Sequence, residues 1–97
     1  RQKFQVKAPN LVWCTDFTYI RLSNGKMRYN CAVMDLYDRS VVSSLNSEHI
    51  NTELAKAAVE KALGTERPGK GLILHSDQGS QYTSWEFVDY CKKRGLR

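Results

Sequence analysis

The first half of the chain alternates apolar and polar residues in the way that β-strands do. A period of two over residues 11–22 places five side chains on one face: Val12, Cys14, Asp16, Thr18 and Ile20. The pair Asn24-Gly25 is a strong hairpin signal, and residues 27–37 predict the returning strand. After a second turn, residues 41–46 predict a third strand. This half therefore predicts a three-stranded antiparallel meander.

The second half switches to helical spacing. Residues 51–63 place six apolar side chains on one side of a helix: Leu54, Ala55, Ala58, Val59, Ala62 and Leu63. Asn51 is suited to cap its start, and Gly64 stands where a glycine commonly ends a helix. Residues 71–75 then predict a short buried strand.

A second helix is predicted to begin near Thr83 or Ser84, because Thr83 and Glu86 fit a capping box, and Gly95 is expected to end it. The single helix between the third and fourth strands permits a crossover, so the fourth strand can lie parallel beside the first. The order predicts an α/β fold with a mixed sheet, three antiparallel strands plus a parallel fourth, and helices packed on it.

Composition adds limited information. The 97 residues carry a net charge of +5, which suits a polyanionic partner such as DNA or RNA. Lys92, Lys93 and Arg94 form the clearest basic cluster, although cations at a helix end are also favoured by the helix dipole. Three widely spaced cysteines and two histidines favour neither a zinc site nor a disulfide framework, so the thiols are interpreted as core residues of an intracellular protein.

Two aspartates are the candidate chemical groups. Asp16 lies within the first predicted strand, and Asp77 directly follows the fourth. If these strands are neighbours, the two carboxylates approach each other and repel unless a cation lies between them. A divalent cation such as Mg²⁺ prefers such oxygen ligands. The alternative is a purely structural role, in which Asp16 caps a bulge and Asp77 forms a turn.

The segment around Asp77 is unusually polar. Residues 74–84 read Leu-His-Ser-Asp-Gln-Gly-Ser-Gln-Tyr-Thr-Ser, so that a buried strand passes abruptly into a compact loop. Gly79 permits a tight backbone path, and three side chains suit contacts with phosphates or bases: Ser80, Gln81 and Tyr82. This density of hydrogen-bonding groups favours a ligand site over an ordinary connection.

Three segments in this order resemble the catalytic core of DDE transposases of bacterial insertion sequences, which are related to retroviral integrases. Residues 10–20, with Trp13 and the Thr15-Asp16 pair, resemble the first-carboxylate strand, and residues 32–42 resemble the next segment. The His-Ser-Asp-x-Gly-Ser-Gln-Tyr pattern within residues 74–84 is specific to the second-carboxylate segment. The resemblance covers residues 9–95, with residues 1–10 interpreted as a linker or leading arm and 11–97 as a partial integrase catalytic core.

The resemblance implies a ribonuclease H-like fold, truncated at the C-terminus, and metal-dependent cutting and joining of DNA with Mg²⁺ or Mn²⁺. By that match, Asp16 and Asp77 are catalytic, metal-holding carboxylates. The family's third acid is a glutamate about 35 residues beyond the second aspartate. Glu86 and Asp89 fall too early for that role, so activity of this chain alone is not expected.

Two further residues are accessory candidates. His75 lies two residues before Asp77 and is a candidate to orient a metal-bound water or a phosphate, although strand packing is the simpler interpretation. With a two-residue Asn24-Gly25 loop, Val33 would face Asp16, and Asp35 would lie diagonally on the same face. Asp35 is then a candidate to assist the metal site; pairing with Arg39 at the second turn is the alternative.

The leading hypothesis is therefore a DNA-transposing enzyme core that acts on DNA, homo-oligomeric in its full-length form, in the bacterial cytoplasm and without a membrane segment. The main alternative is a non-catalytic or degenerate remnant that binds DNA through charge alone. A third is another nuclease on the same scaffold, which the pattern of residues 75–83 disfavours.

Overall fold

The computed structural model describes residues 6–69, 71–76 and 85–96. Six elements follow one another in the predicted order: β1 (Val12–Arg21), β2 (Met27–Asp35), β3 (Val41–Ser47), α1 (Thr52–Glu66), β4 (Ile73–Ser76) and α2 (Trp85–Lys93). The four strands form one sheet in the order β3-β2-β1-β4. β1, β2 and β3 are antiparallel, and β4 lies parallel to β1. The predicted mixed sheet and its crossover are confirmed.

The hairpin between β1 and β2 turns at Gly25, as predicted, but its loop has a different length. Gly25 has φ 86°, a left-handed conformation that glycine adopts without steric cost. Leu22 N donates to Lys26 O at 2.8 Å, so three residues rather than two form the loop. The register pairs Asp16 with Ala32, and the predicted facing of Asp16 by Val33 is wrong. The cause is one extra loop residue, which shifts every cross-strand pair by one.

The two faces of the sheet have different surroundings. One face carries Trp13 and Val33, both with no exposed surface, and α1 packs on this side, where Ser43 Oγ donates to the Ala58 carbonyl at 2.6 Å. The buried cluster includes residues from the strands, both helices and the segments next to them: Trp13, Cys31, Val33, Leu54, Ala55, Ala58, Val59, Ala62, Leu72, Phe87 and Leu96. Trp13 is thus a core residue.

Helix α1 begins as predicted and ends later than predicted. The Asn51 side chain accepts a hydrogen bond from Leu54 N at 3.0 Å and caps the first turn. Gly64, expected to end the helix, lies inside it. The helix continues to Glu66, because Arg67 adopts the left-handed conformation with φ 49° and donates its N–H to the Leu63 carbonyl.

Helix α2 ends in the predicted manner. Gly95 has φ 81°, and Leu96 N donates to the Cys91 carbonyl at 2.9 Å, the hydrogen bond that closes a glycine-terminated helix. The predicted Thr83 capping box lies outside the described residues. Among the described residues, no helix is both long enough and apolar enough to cross a lipid bilayer.

Candidate active site

Asp16 lies on the open face of the sheet, opposite the face that α1 covers. Its neighbours in sequence, Thr15 and Phe17, point to the helical side, because successive side chains of a strand alternate. Thr15 is buried, whereas Asp16 is exposed. Within residues 6–69, 71–76 and 85–96, the Asp16 carboxylate has no ion pair and no hydrogen bond. The strand therefore presents an unpaired carboxylate from a rigid support.

A surface cavity of about 410 Å³ opens beside this carboxylate. Its described lining comes from β1, β2, the turn after β2, and β4: Cys14, Thr15, Asp16, Met34, Leu36, Arg39 and His75. The volume falls within the range of roughly 300–1,000 Å³ that is usual for small-ligand sites. The wall mixes an acid, a base, an imidazole and apolar side chains.

His75 reaches the cavity from β4. It lies directly opposite Cys14 in the parallel pairing of β1 with β4 and is exposed. The structure therefore brings His75 to the same cavity as Asp16, on the same face of the sheet. Its predicted role towards a water or a phosphate stays a prediction.

Asp77 and the predicted contact residues Ser80, Gln81 and Tyr82 lie outside the described residues. The described part of β4 ends at Ser76, which is paired with Thr15. The last described pair of β1 and β4 is therefore Thr15 with Ser76, and each of these residues directly precedes a candidate aspartate.

Asp35 does not lie on the face of Asp16. It pairs with Trp13 and is 4% exposed, on the helical side of the sheet. Its carboxylate accepts hydrogen bonds from Asn10 N and Tyr37 N, each at 2.9 Å. The predicted shared face with Asp16 is wrong, because it depended on the two-residue hairpin loop. Asp35 instead organises the turn after β2, the alternative considered from the sequence, though through backbone donors and not through the Arg39 side chain.

The basic cluster at the end of α2 lies away from the cavity. Lys93 pairs with Asp89 at 3.3 Å, and Arg94 pairs with Glu60 of α1 at 3.3 Å. α2 packs against α1, which covers the other side of the sheet. Two of the three predicted DNA-contacting cations therefore also form structural ion pairs: Lys93 within α2, and Arg94 with α1.

The charge of Asp16 affects its surroundings. The pKa of the Cys31 thiol is raised to about 12, mainly by burial and further by the negative charge of Asp16. Burial also raises the pKa of Cys91 to about 11. At neutral pH both thiols are protonated, in agreement with their interpretation as packing residues. No disulfide bond links Cys14, Cys31 and Cys91, all of which the structure describes.

The sequence indicated Arg39 only as a partner of Asp35, and not as a residue of this cavity. Arg39 has φ 67° in the turn between β2 and β3, and its N–H donates to the Asp35 carbonyl at 2.8 Å. A left-handed arginine leaves no mark in the sequence. The signal in the sequence that could have indicated a cavity position was its place in the turn that follows β2, the strand that pairs with β1.

The sheet order β3-β2-β1-β4, with β4 parallel to β1 and helices packed on the sheet, agrees with a ribonuclease H-like core. The fold matches a chain in the cryoEM structure of the simian T-cell lymphotropic virus intasome in complex with PP2A regulatory subunit B56 gamma. The TM-score is 0.83 and the identity 21%, and the match covers 97% of this chain and 32% of that one. It also matches the HTLV-2 integrase catalytic core domain in complex with magnesium, in its trimeric form, with TM-score 0.78 and 19% identity over 92% of this chain and 57% of that one. A third match is the catalytic domain of Mos1 mariner transposase, with TM-score 0.70 and 17% identity over 91% of this chain and 48% of that one.

The sequence gives the family. Residues 6–97 match the model of the integrase core domain, and the chain belongs to that family. It is 37% identical over 96 residues to the transposase for insertion sequence element IS904 of Lactococcus lactis subsp. lactis, covering 99% of this chain and 38% of the relative. It is 33% identical over 96 residues to transposase InsF for insertion sequence IS3A of Escherichia coli K12, covering 99% of this chain and 33% of that protein. The chain thus spans between a third and two fifths of the length of these relatives. The predicted resemblance to insertion-sequence transposases is confirmed.

Proposed function

We propose that this chain forms part of a catalytic core that cuts DNA at 3′ ends and joins them to new sites by metal-dependent phosphoryl transfer. Asp16 and Asp77 are the proposed metal-holding carboxylates, with Mg²⁺ as the ion and Mn²⁺ as its substitute. The observation that carries the proposal is the in-register parallel pairing of β1 with β4 next to an unpaired Asp16.

The pairing of β1 with β4 supports a position of Asp77 near Asp16. Thr15 lies opposite Ser76, and each is followed in the chain by an aspartate. Consecutive Cα atoms of a chain are about 3.8 Å apart, so each aspartate is only one residue beyond this pair. In the proposed site the carboxylates of Asp16 and Asp77 are neighbours, and their mutual repulsion favours a bound cation.

The chemistry of Asp16 fits a hard divalent ion. Its carboxylate oxygens are exposed and unpaired among the described residues, and oxygen is the ligand that Mg²⁺ prefers. Within the described part of the chain, no three His, Cys, Asp or Glu side chains are placed so that they could hold a metal ion together. In the proposal Asp16 therefore supplies one ligand of a site that needs Asp77 and others. A bound divalent ion supplies charge neutralisation at the oxygens of the reacting phosphate.

The residues of this chain have distinct tasks in that proposal. Asp16 is held by the central strand β1, whose other face is fixed by buried Thr15 and Trp13. A rigid strand keeps the carboxylate within the narrow geometry that phosphoryl transfer requires. His75 is the proposed orienting group for a water or a phosphate. Ser80, Gln81, Tyr82 and the α2 cations are proposed DNA contacts.

DNA is the proposed substrate and partner, which the net charge of +5 and the transposase relatives support. Assembly of the full-length protein as a homo-oligomer is part of the proposal. The HTLV-2 integrase core is described in dimeric and trimeric forms, and the Mos1 transposase in a paired-end complex.

Isothermal titration calorimetry with MgCl₂ and MnCl₂ tests the metal assignment. We expect weak binding by the chain, lost in both Asp16→Asn and Asp77→Asn, and retained in Asp89→Asn, a matched change on α2. Circular dichroism confirms that each variant is folded. Unchanged titrations in the first two variants would exclude the metal site and leave a charge-based DNA-binding module.

A further inference from the structure

The turn between β2 and β3 holds Arg39 in a fixed and unusual backbone conformation. Its φ of 67° is left-handed, and hydrogen bonds surround it on both sides. Arg39 N donates to the Asp35 carbonyl at 2.8 Å, and Asp35 N donates to the Ser40 carbonyl at 2.9 Å. The Asp38 carboxylate accepts from Ser40 N at 3.0 Å. The backbone at Arg39 is therefore determined by its neighbours.

A left-handed backbone favours glycine at this position. A side chain there is crowded against its own carbonyl oxygen, a cost that glycine avoids. The turn needs only the Arg39 N–H, which every residue except proline supplies. The presence of arginine therefore favours a task for the side chain.

The Arg39 side chain lines the cavity that Asp16 and His75 also line. Among the described residues its guanidinium has no ion pair and no hydrogen bond, in contrast to Arg28 and Arg94, which pair with Glu48 and Glu60. Its five N–H donors are thus available to a ligand in the cavity.

We propose that Arg39 is a positioning residue that binds a backbone phosphate of the DNA substrate and holds the DNA strand over Asp16. This proposal rests on the proposed function, since it takes DNA as the substrate. A guanidinium matches a phosphate with two parallel hydrogen bonds, which fix orientation as well as position. Its positive charge also offsets the repulsion between the Asp16 carboxylate and an approaching phosphodiester.

Arg67 provides a matched control. It is also an exposed arginine with positive φ, at the end of α1, but it is not among the residues that line the cavity. An effect of Arg39 that arose only from total charge or from the left-handed backbone would appear in Arg67 variants as well.

The test is DNA binding measured by fluorescence anisotropy in EDTA over a series of salt concentrations, with a labelled duplex. Arg39→Gln and Arg39→Gly should weaken binding roughly tenfold and lower the slope of log K against log salt by about one. Arg39→Lys should keep the slope and recover part of the affinity, because it keeps the charge and loses the bidentate geometry. Arg67→Gln should keep the wild-type affinity for the duplex and the wild-type slope of log K against log salt.

Urea unfolding separates a folding defect from a binding defect. Arg39→Gly should be at least as stable as the wild type, because it relieves the left-handed strain while it removes the guanidinium. Wild-type affinity and slope in Arg39→Gln, equal losses in Arg67→Gln, or no DNA binding by the wild-type chain would each overturn the proposal. Because these measurements contain no metal, they are independent of the calorimetric test of Asp16, and either result can fail alone.

Discussion

Cys14 of β1 lies directly opposite His75 of β4, and both residues line the cavity beside Asp16. The four pairs of these strands share one offset, from Val12 with Ile73 to Thr15 with Ser76. Asp16 and Asp77 have the same separation in the sequence, although Asp77 lies outside the described residues. The pairing thus joins two segments that are far apart in sequence and that both resemble carboxylate segments of transposases.

The two carboxylates should destabilise the metal-free fold. If they lie near each other, Asp16→Asn removes a repulsion of on the order of 0.5–1 kcal/mol and raises the urea midpoint in EDTA. Added MgCl₂ should raise the midpoint of the wild type, because the ion binds only the folded state, and should leave Asp16→Asn unchanged. Glu48→Gln serves as control: it also removes one negative charge but breaks the ion pair with Arg28, so it should not raise the midpoint. A lower midpoint for Asp16→Asn in EDTA would argue against repulsion between these groups.

The 97-residue chain tested by itself should not cleave or join DNA. The resemblance predicts that the reaction also needs a third carboxylate about 35 residues beyond Asp77, and the tested residues 1–97 do not reach that position. A gel assay with labelled transposon-end DNA and MnCl₂ should show no strand transfer. Activity of the purified chain that disappears in Asp16→Asn would prove this prediction wrong.

The burial of Trp13 should make it essential for folding. Its side chain has no exposed surface, and its indole N–H donates to Asn10 Oδ1 at 3.1 Å. Trp13→Ala should cost about 3–5 kcal/mol, a large part of the stability of a domain of this size. Trp13→Phe should cost less, because it keeps most of the packing. Urea unfolding followed by circular dichroism measures both, and Tyr37→Ala, an exposed aromatic, should stay within about 0.5 kcal/mol of the wild type.

Stability should fall at alkaline pH. The folded state raises the pKa of Cys31 from 9.0 to about 12, so the folded protein keeps a proton that the unfolded chain loses. The contribution is fully present below pH 9 and is lost as the pH rises toward 12, by about 1 kcal/mol between pH 8 and pH 10. Cys31→Ala should be less stable at pH 8 but should lose less on going to pH 10. An equal loss in both proteins would show that Cys31 does not cause the dependence.

Much of the fold follows from local patterns in the sequence. The strand alternation, the Asn24-Gly25 turn, the Asn51 cap and the Gly95 helix end each depend on residues close together in the chain, and each is observed. The crossover topology followed from a single intervening helix. The candidate aspartates were found in the same way, from an acid within a strand and a polar loop after another.

The tertiary structure decided what depends on distant residues. One additional residue in the β1–β2 loop sets the register and moves Asp35 to the face opposite Asp16, because strand side chains alternate with a period of two. Helix α1 passes Gly64 because Arg67 takes the left-handed position instead. The conformation of Arg39 is set by hydrogen bonds that close the turn, so only the folded chain brings this residue to the cavity of Asp16.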